Sequence, residues 1–300
     1  MAKPFVKWAG GKTQLLPQID SLIAEILPGN KDFVYIEPFV GGGSVLFHLL
    51  DSCSNLKYAV INDANEQLMN CYRVIADNEK YNKFKKLAFK IQDDYNRDPM
   101  KQEKYNLMRF QYNHWIKGEL RMDDLDVWGA VAFMFLNKCG FNGLYRVNQK
   151  GEFNVPWGQK DYLKMFNVDE LDRCHVLLND KVVVMCGDYR ETDIIMDVEK
   201  FHEENDVLFY LDPPYKPISE TSSFTSYTKD SFSDENQVEL KSFCDRIDRC
   251  GYKFIQSNSK IGDFFDELYN EYEIRTVSAK RNINSKGNKR GNVDEILICN

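Results

Sequence analysis

Short apolar runs separated by glycine and polar residues characterise the first part of the chain. Residues 33–37 (FVYIE) form a β-prone run that ends at Pro38 and a cluster of glycines. Residues 44–50 (SVLFHLL) predict a helix that Ser44 would cap, and residues 57–62 (KYAVIN) predict a second strand that ends at Asp63. A strand, a glycine turn, a helix and a second strand in this order indicate a parallel α/β sheet.

The pattern changes between residues 65 and 137. This segment is long, polar and helical in pattern, and its most apolar stretch is VWGAVAFMFL at 127–136. Strand-like runs then return at residues 181–186, 207–211, 252–256 and 294–299. We therefore predict an α/β fold in which a Rossmann-like sheet is interrupted by a helical insertion. Residues 1–64 and 166–300 would form one domain, and residues 65–165 a second.

Composition adds limits to this picture. Eight scattered cysteines include no C-x-x-C pair, and the four histidines have no zinc spacing, so free thiols in a reducing cytoplasm and no metal site are expected. The first residues contain no apolar signal region, and no run has transmembrane length, so no membrane association is expected.

The net charge of −7 argues mildly against a protein that coats DNA nonspecifically, although local patches decide binding. One segment, residues 275–290, is rich in cations and contains no acid: Arg275, Lys280, Arg281, Lys286, Lys289 and Arg290. A solvated loop and a segment that contacts phosphates both fit this run.

A ligand-binding turn is indicated by EPFVGGGS at residues 37–44. Glycines permit a tight turn and let a ligand approach the backbone closely. Asp63, at the end of the next strand, has the spacing of an acid that binds ribose hydroxyls. Because the dinucleotide motif G-x-G-x-x-G is absent, a nucleoside ligand without a pyrophosphate fits this turn better than a dinucleotide. The alternative interpretation is a strand–helix connection that binds no ligand.

Candidate chemistry follows the apolar run at 207–211, where Asp212, Pro213, Pro214 and Tyr215 reach the carboxyl end of a predicted strand. Ligands bind at that edge in open α/β sheets. The prolines donate no N–H groups, so an acid and carbonyl acceptors surround the site. These acceptors suit an attacking amine whose lone pair is delocalised into a ring, and Tyr215 would stack on that ring. A strand-ending turn with a buried tyrosine is the structural alternative.

Two further segments are weak signals by themselves. FVKWAGGK at 5–12 reads as a surface turn with a half-buried tryptophan. Residues 140–158 contain two β-prone runs around the turn NQKG, which predicts a hairpin. A two-stranded ribbon fits the major groove of DNA, and arginine is the commonest reader of guanine there. For this segment alone, a purely structural hairpin is the favoured interpretation.

Taken in order along the chain, these segments resemble the Dam family of adenine-N6 DNA methyltransferases, in its DpnII-type branch. The resemblance rests on F-x-K-W-A-G-G-K at 5–12, EPFVGGGS at 37–44, IND at 61–63, FNGLYRVN at 141–148, GEFNVPWG at 151–158, DPPY at 212–215 and SSFTSY at 222–227. It spans nearly the whole chain.

The resemblance implies S-adenosylmethionine as cofactor and GATC in double-stranded DNA as target, with the adenine flipped out of the helix. Cofactor contacts would come from Trp8, Gly10, Gly11, Lys12, Glu37, Pro38, Phe39, Gly41, Gly43, Asp63, Asp188, Tyr189 and Asp212. Catalysis would fall to Asp212, Pro213, Pro214 and Tyr215. DNA would be bound by Phe141, Asn142, Leu144, Arg146, Asn148, Lys286, Lys289 and Arg290, with residues 65–165 as the target-recognition domain. The resemblance further suggests a monomer that can share its target site with a restriction endonuclease.

Other classes of protein are possible on the sequence. An N4-cytosine methyltransferase would use similar amine chemistry, and a non-catalytic DNA-binding module would need only the hairpin and the basic run. A C5-cytosine enzyme is disfavoured because no Pro-Cys occurs, and an NAD-dependent dehydrogenase because G-x-G-x-x-G is absent. The DPPY segment and the order of the motifs favour adenine.

Overall fold

The computed structural model describes residues 2–27, 29, 31–179, 181–197, 205–216, 232–280 and 292–300. These residues contain one sheet of seven strands: β1 (Phe33–Glu37), β2 (Leu56–Ile61), β3 (Val182–Val184), β4 (Asp206–Leu211), β5 (Lys253–Ser259), β6 (Glu273–Lys280) and β7 (Asn292–Cys299). The strand order is β3-β2-β1-β4-β5-β7-β6, and only β7 runs against its neighbours. This is a doubly wound order with one antiparallel strand inserted near an edge, so the predicted Rossmann-like sheet is confirmed.

Helices surround this sheet. In the described part of the chain they are α1 (Leu16–Ile26), α2 (Ser44–Ser52), α3 (Glu66–Ala76), α4 (Asn78–Arg97), α5 (Lys101–Ile116), α6 (Leu125–Cys139), α7 (Val168–Asn179), α8 (Asp234–Arg249) and α9 (Phe264–Leu268), with short 3-10 turns at Phe141–Gly143 and Tyr189–Asp197. The helical pattern seen between residues 65 and 137 thus becomes α3 to α6. Asn65 caps the first of these, because its side chain accepts a hydrogen bond from the backbone N–H of Leu68.

The two faces of the sheet bury different residues. Alternate positions of β1 point to opposite sides, so Phe33 and Tyr35 join one core while Val34 and Ile36 join the other. The first core also contains Tyr72 of α3 and residues of α4 to α7. The second lies under α8 and α9. A strand buried on both faces is typical of a parallel sheet, and it explains why FVYIE is apolar with no alternation.

Two local expectations were wrong. Ser44 does not cap α2: Gly43 holds the capping position in a left-handed conformation with φ 75°, and the Ser44 hydroxyl accepts from the backbone N–H of Lys12 instead. The start of the basic run is not a loop either. Arg275 lies in β6 and pairs with Glu25 and Glu273, so this cation is neutralised within the protein.

The predicted hairpin forms its turn but no regular strands. The backbone reverses at residues 148–151, and the backbone N–H of Asn154 donates to the carbonyl of Arg146, yet only the isolated bridges Gly140–Trp157 and Val147–Phe153 occur. The physical reason is local: the N–H of Glu152, which would return the hydrogen bond that the N–H of Asn148 donates to the Glu152 carbonyl, donates to the Asn148 side chain instead. The backbone groups of residues 153 and 155 face away from the partner segment, toward α5. Asn113 binds both the N–H and the carbonyl of Phe153, and Tyr105 donates to the carbonyl of Val155.

Candidate active site

The strand order reverses between β1 and β4, and two predicted site segments lie at the carboxyl ends of these two strands. In open α/β sheets this switch point is where ligands bind. The glycine turn follows β1 and Asp212 follows β4. The topology therefore brings the two segments together although they are far apart in sequence.

Trp8 of the N-terminal segment covers the glycine turn. A Cβ added to Gly41, whose φ is 48°, would lie 2.9 Å from Trp8 Cδ1, so only glycine permits this approach. A Cβ on Gly43 would lie 2.5 Å from the Tyr72 hydroxyl. The indole ring also stacks on Tyr145, with ring centroids 5.7 Å apart. Trp8 thus joins the glycine turn to the segment that follows α6.

Lys12 links the same segment to Asp212. Its ammonium lies 2.7 Å from Asp212 Oδ2 and donates to the carbonyl of Gly10 at 2.7 Å. The Lys12 side chain is only 7% exposed and that of Asp212 20%, so this ion pair is largely desolvated. Gly10 and Gly11 form the turn that returns Lys12 toward the sheet, and Gly10 adopts a φ of 83°. The weak sequence signal at 5–12 is therefore part of the site.

Asp212 and Tyr215 are held from the neighbouring strands. Ser257 of β5 donates to Asp212 Oδ1 at 3.0 Å, and the Tyr215 hydroxyl donates to Glu295 of β7 at 2.8 Å. Burial raises the pKa of Tyr215 well above its usual range, so its phenol stays neutral and can act as this donor. The Lys12 ammonium lies 4.7 Å from the centroid of the Tyr215 ring. The acid and the aromatic ring consequently have fixed positions.

The two prolines lie differently between these residues. Pro213 is buried and Pro214 is exposed. The carbonyl of Pro214 accepts from Gln237 of α8 at 3.3 Å, and Gln237 in turn accepts from Asn258 of β5 at 3.2 Å. Side chains of α8 and β5 therefore hold the backbone of the D-P-P-Y segment.

Asp63 lies at the end of β2, beside the glycine turn. Its carboxylate accepts from the backbone N–H of Gly41 at 3.0 Å and from that of Asn65 at 2.9 Å. Burial raises the pKa of Asp63, while these two N–H groups oppose the rise. The neighbouring Asn62 donates to the carbonyl of Pro38. Asp63 thus shapes the turn and is placed next to it.

Two buried polar atoms at this edge lack partners within the described structure. They are Glu37 Oε2 and Asn62 Oδ1. Glu37 is 3% exposed, and burial raises the pKa of its carboxyl well above the usual range. Buried polar atoms are nearly always hydrogen-bonded, so atoms without partners at a switch point are candidate contacts for a polar ligand.

The segment after β3 brings further predicted residues to this edge. Phe39 stacks on Tyr189 with ring centroids 5.1 Å apart. Asp188 is half-buried and pairs with Arg190, which lowers the pKa of the Asp188 carboxyl. The carbonyl of Gly187 accepts from Asn62 at 3.0 Å, which ties this segment to the end of β2.

The predicted DNA-binding residues occupy the segment after α6. Phe141 is 52% exposed, Asn142 adopts a positive φ of 56° at the surface, and Leu144 packs on the core. Arg146 is exposed, and its Nε donates to Asn154 Oδ1 at 2.7 Å. Asn148 is used inside the turn, since its Oδ1 accepts from two backbone N–H groups. Lys286, Lys289, Arg290 and the segment 222–227 lie outside the described residues.

Several residues of the site were not foreseen from the sequence. Glu295, Ser257 and Gln237 contact the DPPY segment, and Asn137 of α6 binds the backbone of Lys7 on both sides, its N–H at 2.9 Å and its carbonyl at 2.8 Å. One signal was available for the β5 residue: Gln256 to Ser259 form a polar run at the end of an apolar strand, and all four are buried.

Known proteins identify the family of this chain. A family model described as D12 class N6 adenine-specific DNA methyltransferase matches residues 8–283. The chain belongs to this family. The enzyme is therefore an adenine-specific DNA methyltransferase, its substrate is DNA, and its reaction requires a methyl donor.

Curated relatives cover the methyltransferase almost completely. Type II methyltransferase M.MjaIII of Methanocaldococcus jannaschii is 43% identical over 99% of both chains. Type II methyltransferase M1.LlaDCHI of Lactococcus lactis subsp. cremoris is 35% identical over 99% of this chain and 95% of its own. The DNA adenine methylase of Haemophilus influenzae is 31% identical over 98% and 92%. The resemblance to the Dam family is confirmed.

Among solved structures, the rRNA methyltransferase aviRa from Streptomyces viridochromogenes aligns with 99% of this chain and 89% of its own, at 10% identity and a TM-score of 0.38. Among the described residues, no helix has the length and apolar character needed to cross a membrane.

Proposed function

We propose that S-adenosylmethionine is the methyl donor and that it binds at the switch point between β1 and β4. Three features support this proposal: polar atoms of Glu37 and Asn62 without partners among the described residues, a glycine turn under Trp8, and the carboxylate of Asp63. A carboxylate at the end of β2 suits the ribose hydroxyls. When bound, S-adenosylmethionine supplies an electrophilic methyl group on a sulfonium.

The cofactor contacts are assigned to the residues that surround this point. They are Trp8, Gly10, Gly11, Lys12, Glu37, Pro38, Phe39, Gly41, Gly43, Asp63, Asp188, Tyr189 and Asp212. Of these, Asp188 has the weakest support, because its carboxylate is already paired with Arg190.

Asp212 is proposed to accept a hydrogen bond from the N6 amine of adenine, together with a carbonyl of the adjacent prolines. Two bonds accepted from the amine favour a more tetrahedral nitrogen. The N–C bond would form as the S–C bond of the sulfonium breaks and its electron pair stays on sulfur as a neutral thioether, and the extra proton on the nitrogen would be released to solvent. Each oxygen of Asp212 has one protein donor, Lys12 or Ser257, and a carboxylate oxygen can accept a second bond. The observation that carries this proposal is the fixed pair of Asp212 and Tyr215 at the switch point.

The adenine must leave the double helix to reach this acid. A paired adenine is stacked and its N6 amine is engaged, so enzymes that modify bases extrude them into a pocket. Tyr215 would stack on the extruded ring, because its own ring is held at the edge by Glu295.

We further propose that the target is GATC in duplex DNA and that residues 65–165 form the recognition domain. Arg146 is exposed and oriented by Asn154, which leaves the second terminal nitrogen of its guanidinium free of protein partners among the described residues. An arginine held in this way suits a bidentate contact with guanine. Phe141, Asn142, Leu144 and Asn148 lie on the same segment, and Lys286, Lys289 and Arg290 are assigned to the phosphates.

The cellular setting is also a proposal. Two relatives bear the name Type II methyltransferase, which supports a cognate restriction endonuclease that acts on the same site. The enzyme is expected to act in the cytoplasm as a monomer.

The decisive experiment uses DNA that lacks adenine methylation. After incubation with the enzyme and S-adenosylmethionine, modification mapping should place N6-methyladenine at GATC. Methylation at another sequence would refute the target alone, and N4-methylcytosine would refute the assignment of the base. Calorimetry with S-adenosylmethionine tests the donor, and no binding would refute it.

A further inference from the structure

Glu295 lies on β7, the antiparallel strand between β5 and β6. It is paired with Ser259 of β5 and with Val277 of β6. From this position its Oε2 accepts the hydroxyl hydrogen of Tyr215 at 2.8 Å. A carboxylate on a separate strand thus reaches the aromatic ring at the end of the DPPY segment.

We propose that Glu295 is a positioning residue for methyl transfer, which acts by holding the Tyr215 ring where the extruded adenine stacks. The inference rests on the proposed stacking role of Tyr215. A tyrosine side chain turns about two single bonds, and a hydrogen bond at its hydroxyl restricts rotation about the first. Because the O–H bond prefers the plane of the ring, the direction of this hydrogen bond also favours one orientation of the ring plane.

A carboxylate suits this task better than a neutral acceptor. It is acceptor-only when ionised, so the direction of the hydrogen bond is fixed, and the charge strengthens the bond. The Lys12 ammonium lies over the ring, 4.7 Å from its centroid. The ring therefore has an anion at its hydroxyl and a cation on its face, and both contacts determine its orientation.

Glu295 also belongs to a strand that two neighbours hold in place, so a purely structural role must be separated from positioning. Asp294 precedes it on β7 and is exposed. Asp294→Ala is therefore the matched control: it removes an acid from the same strand and leaves Tyr215 untouched.

The test is a double-mutant cycle with Glu295→Ala, Tyr215→Phe and the double variant. Single-turnover methylation is measured at saturating DNA and S-adenosylmethionine. Glu295→Ala should lower the rate constant about tenfold, the size expected for a lost hydrogen bond to a charged group. The rate constant of Tyr215→Phe should fall by a similar factor. The double variant should be no slower than either single variant, because both changes remove the same hydrogen bond.

Two further readouts distinguish positioning from damage to the fold. Affinity for S-adenosylmethionine should stay at the wild-type value in Glu295→Ala, and 2-aminopurine at the target should fluoresce more strongly than in the wild-type complex, because an extruded base stacks less well on a loose ring. Glu295→Gln, which keeps an acceptor oxygen and also serves if the alanine variant does not fold, should retain an intermediate rate.

Wild-type rates in both Glu295 variants would overturn the proposal. Independent, multiplying losses in the double variant would do the same, because Glu295 would then act elsewhere. If the wild-type enzyme itself fails to methylate adenine or to bind S-adenosylmethionine, the proposed function fails instead.

Discussion

Replacing Asp212 by alanine should affect both stability and catalysis. Its carboxylate is the partner of Lys12 at 2.7 Å, in an ion pair whose side chains are 7% and 20% exposed. Removing one member of a buried pair leaves an uncompensated charge and costs about 3–5 kcal/mol. Because Asp212 is partly exposed and Lys12 keeps the carbonyl of Gly10, we expect the lower end, about 3 kcal/mol.

The methylation rate of Asp212→Ala should fall by more than the loss of folding stability can explain. Alanine removes the acceptor that we propose for the amine in the transition state, and groups of this kind contribute about 10²–10³ in rate. Asp212→Asn keeps an acceptor oxygen without the charge, so it should retain part of the activity. Lys12→Met combined with Asp212→Ala removes the buried charge and should restore stability but not the rate.

Urea denaturation and single-turnover methylation together test this reasoning. The free energy of unfolding should fall in Asp212→Ala and recover in the double variant, while both stay inactive. A folded Asp212→Ala enzyme with a nearly normal rate would refute the catalytic role. An unchanged free energy of unfolding would show that the ion pair with Lys12 contributes nothing to stability.

Three other changes give separate expectations. Asp63→Ala should weaken S-adenosylmethionine binding by about 1.5–3 kcal/mol for each hydrogen bond lost to the carboxylate, and unchanged affinity in calorimetry would reduce Asp63 to a shaper of the turn. Arg146→Ala should relax the preference at one base pair of GATC by about 1–3 kcal/mol in methylation assays on single-base variants; equal losses on every sequence would point to a backbone contact. Burial and the nearby Lys7 lower the pKa of Lys138 to about 8. Lys138→Met should therefore stabilise the protein most below that pH, and its advantage should shrink as the pH rises toward the unfolded value of about 10.4, whereas a pH-independent difference in urea denaturation would contradict the buried charge.

The sheet was predictable because most of its strands carry a strong local signal. Strands buried on both faces are continuous apolar runs, and glycine or D-P-P-Y at their ends marks the carboxyl edge. Sequence patterns also placed Asp63 and Asp212 near the same edge. The proximity of the glycine turn to the DPPY segment follows from the order of the strands, because only the topology brings the ends of β1 and β4 together.

The remaining features depend on contacts between distant residues. The hairpin lacks regular strands because the Asn148 side chain accepts the N–H of Glu152 that a ladder would use, and the alternation of residues around the turn does not indicate this. The opposite edge of residues 153 and 155 is bound by Asn113 and Tyr105 of α5. Similarly, Arg275 reads as part of a basic run, yet its partner Glu25 is 250 positions away in the sequence. Glu295 stands in an ordinary strand, and only the folded structure reveals its hydrogen bond with Tyr215.

The shared core of α3 to α7 and one sheet face limits how target specificity can be altered. Tyr72 and Phe133 from the helical segment pack in the same cluster as Tyr35 of the central strand. Transplanting residues 65–165 from another enzyme would cut through this interior and leave mismatched volumes on both sides of the boundary. Changes confined to exposed positions such as Phe141 and Arg146 would leave the interior intact. New specificities should therefore be sought by varying these surface positions, and exchange of the whole segment should yield unstable chimeras.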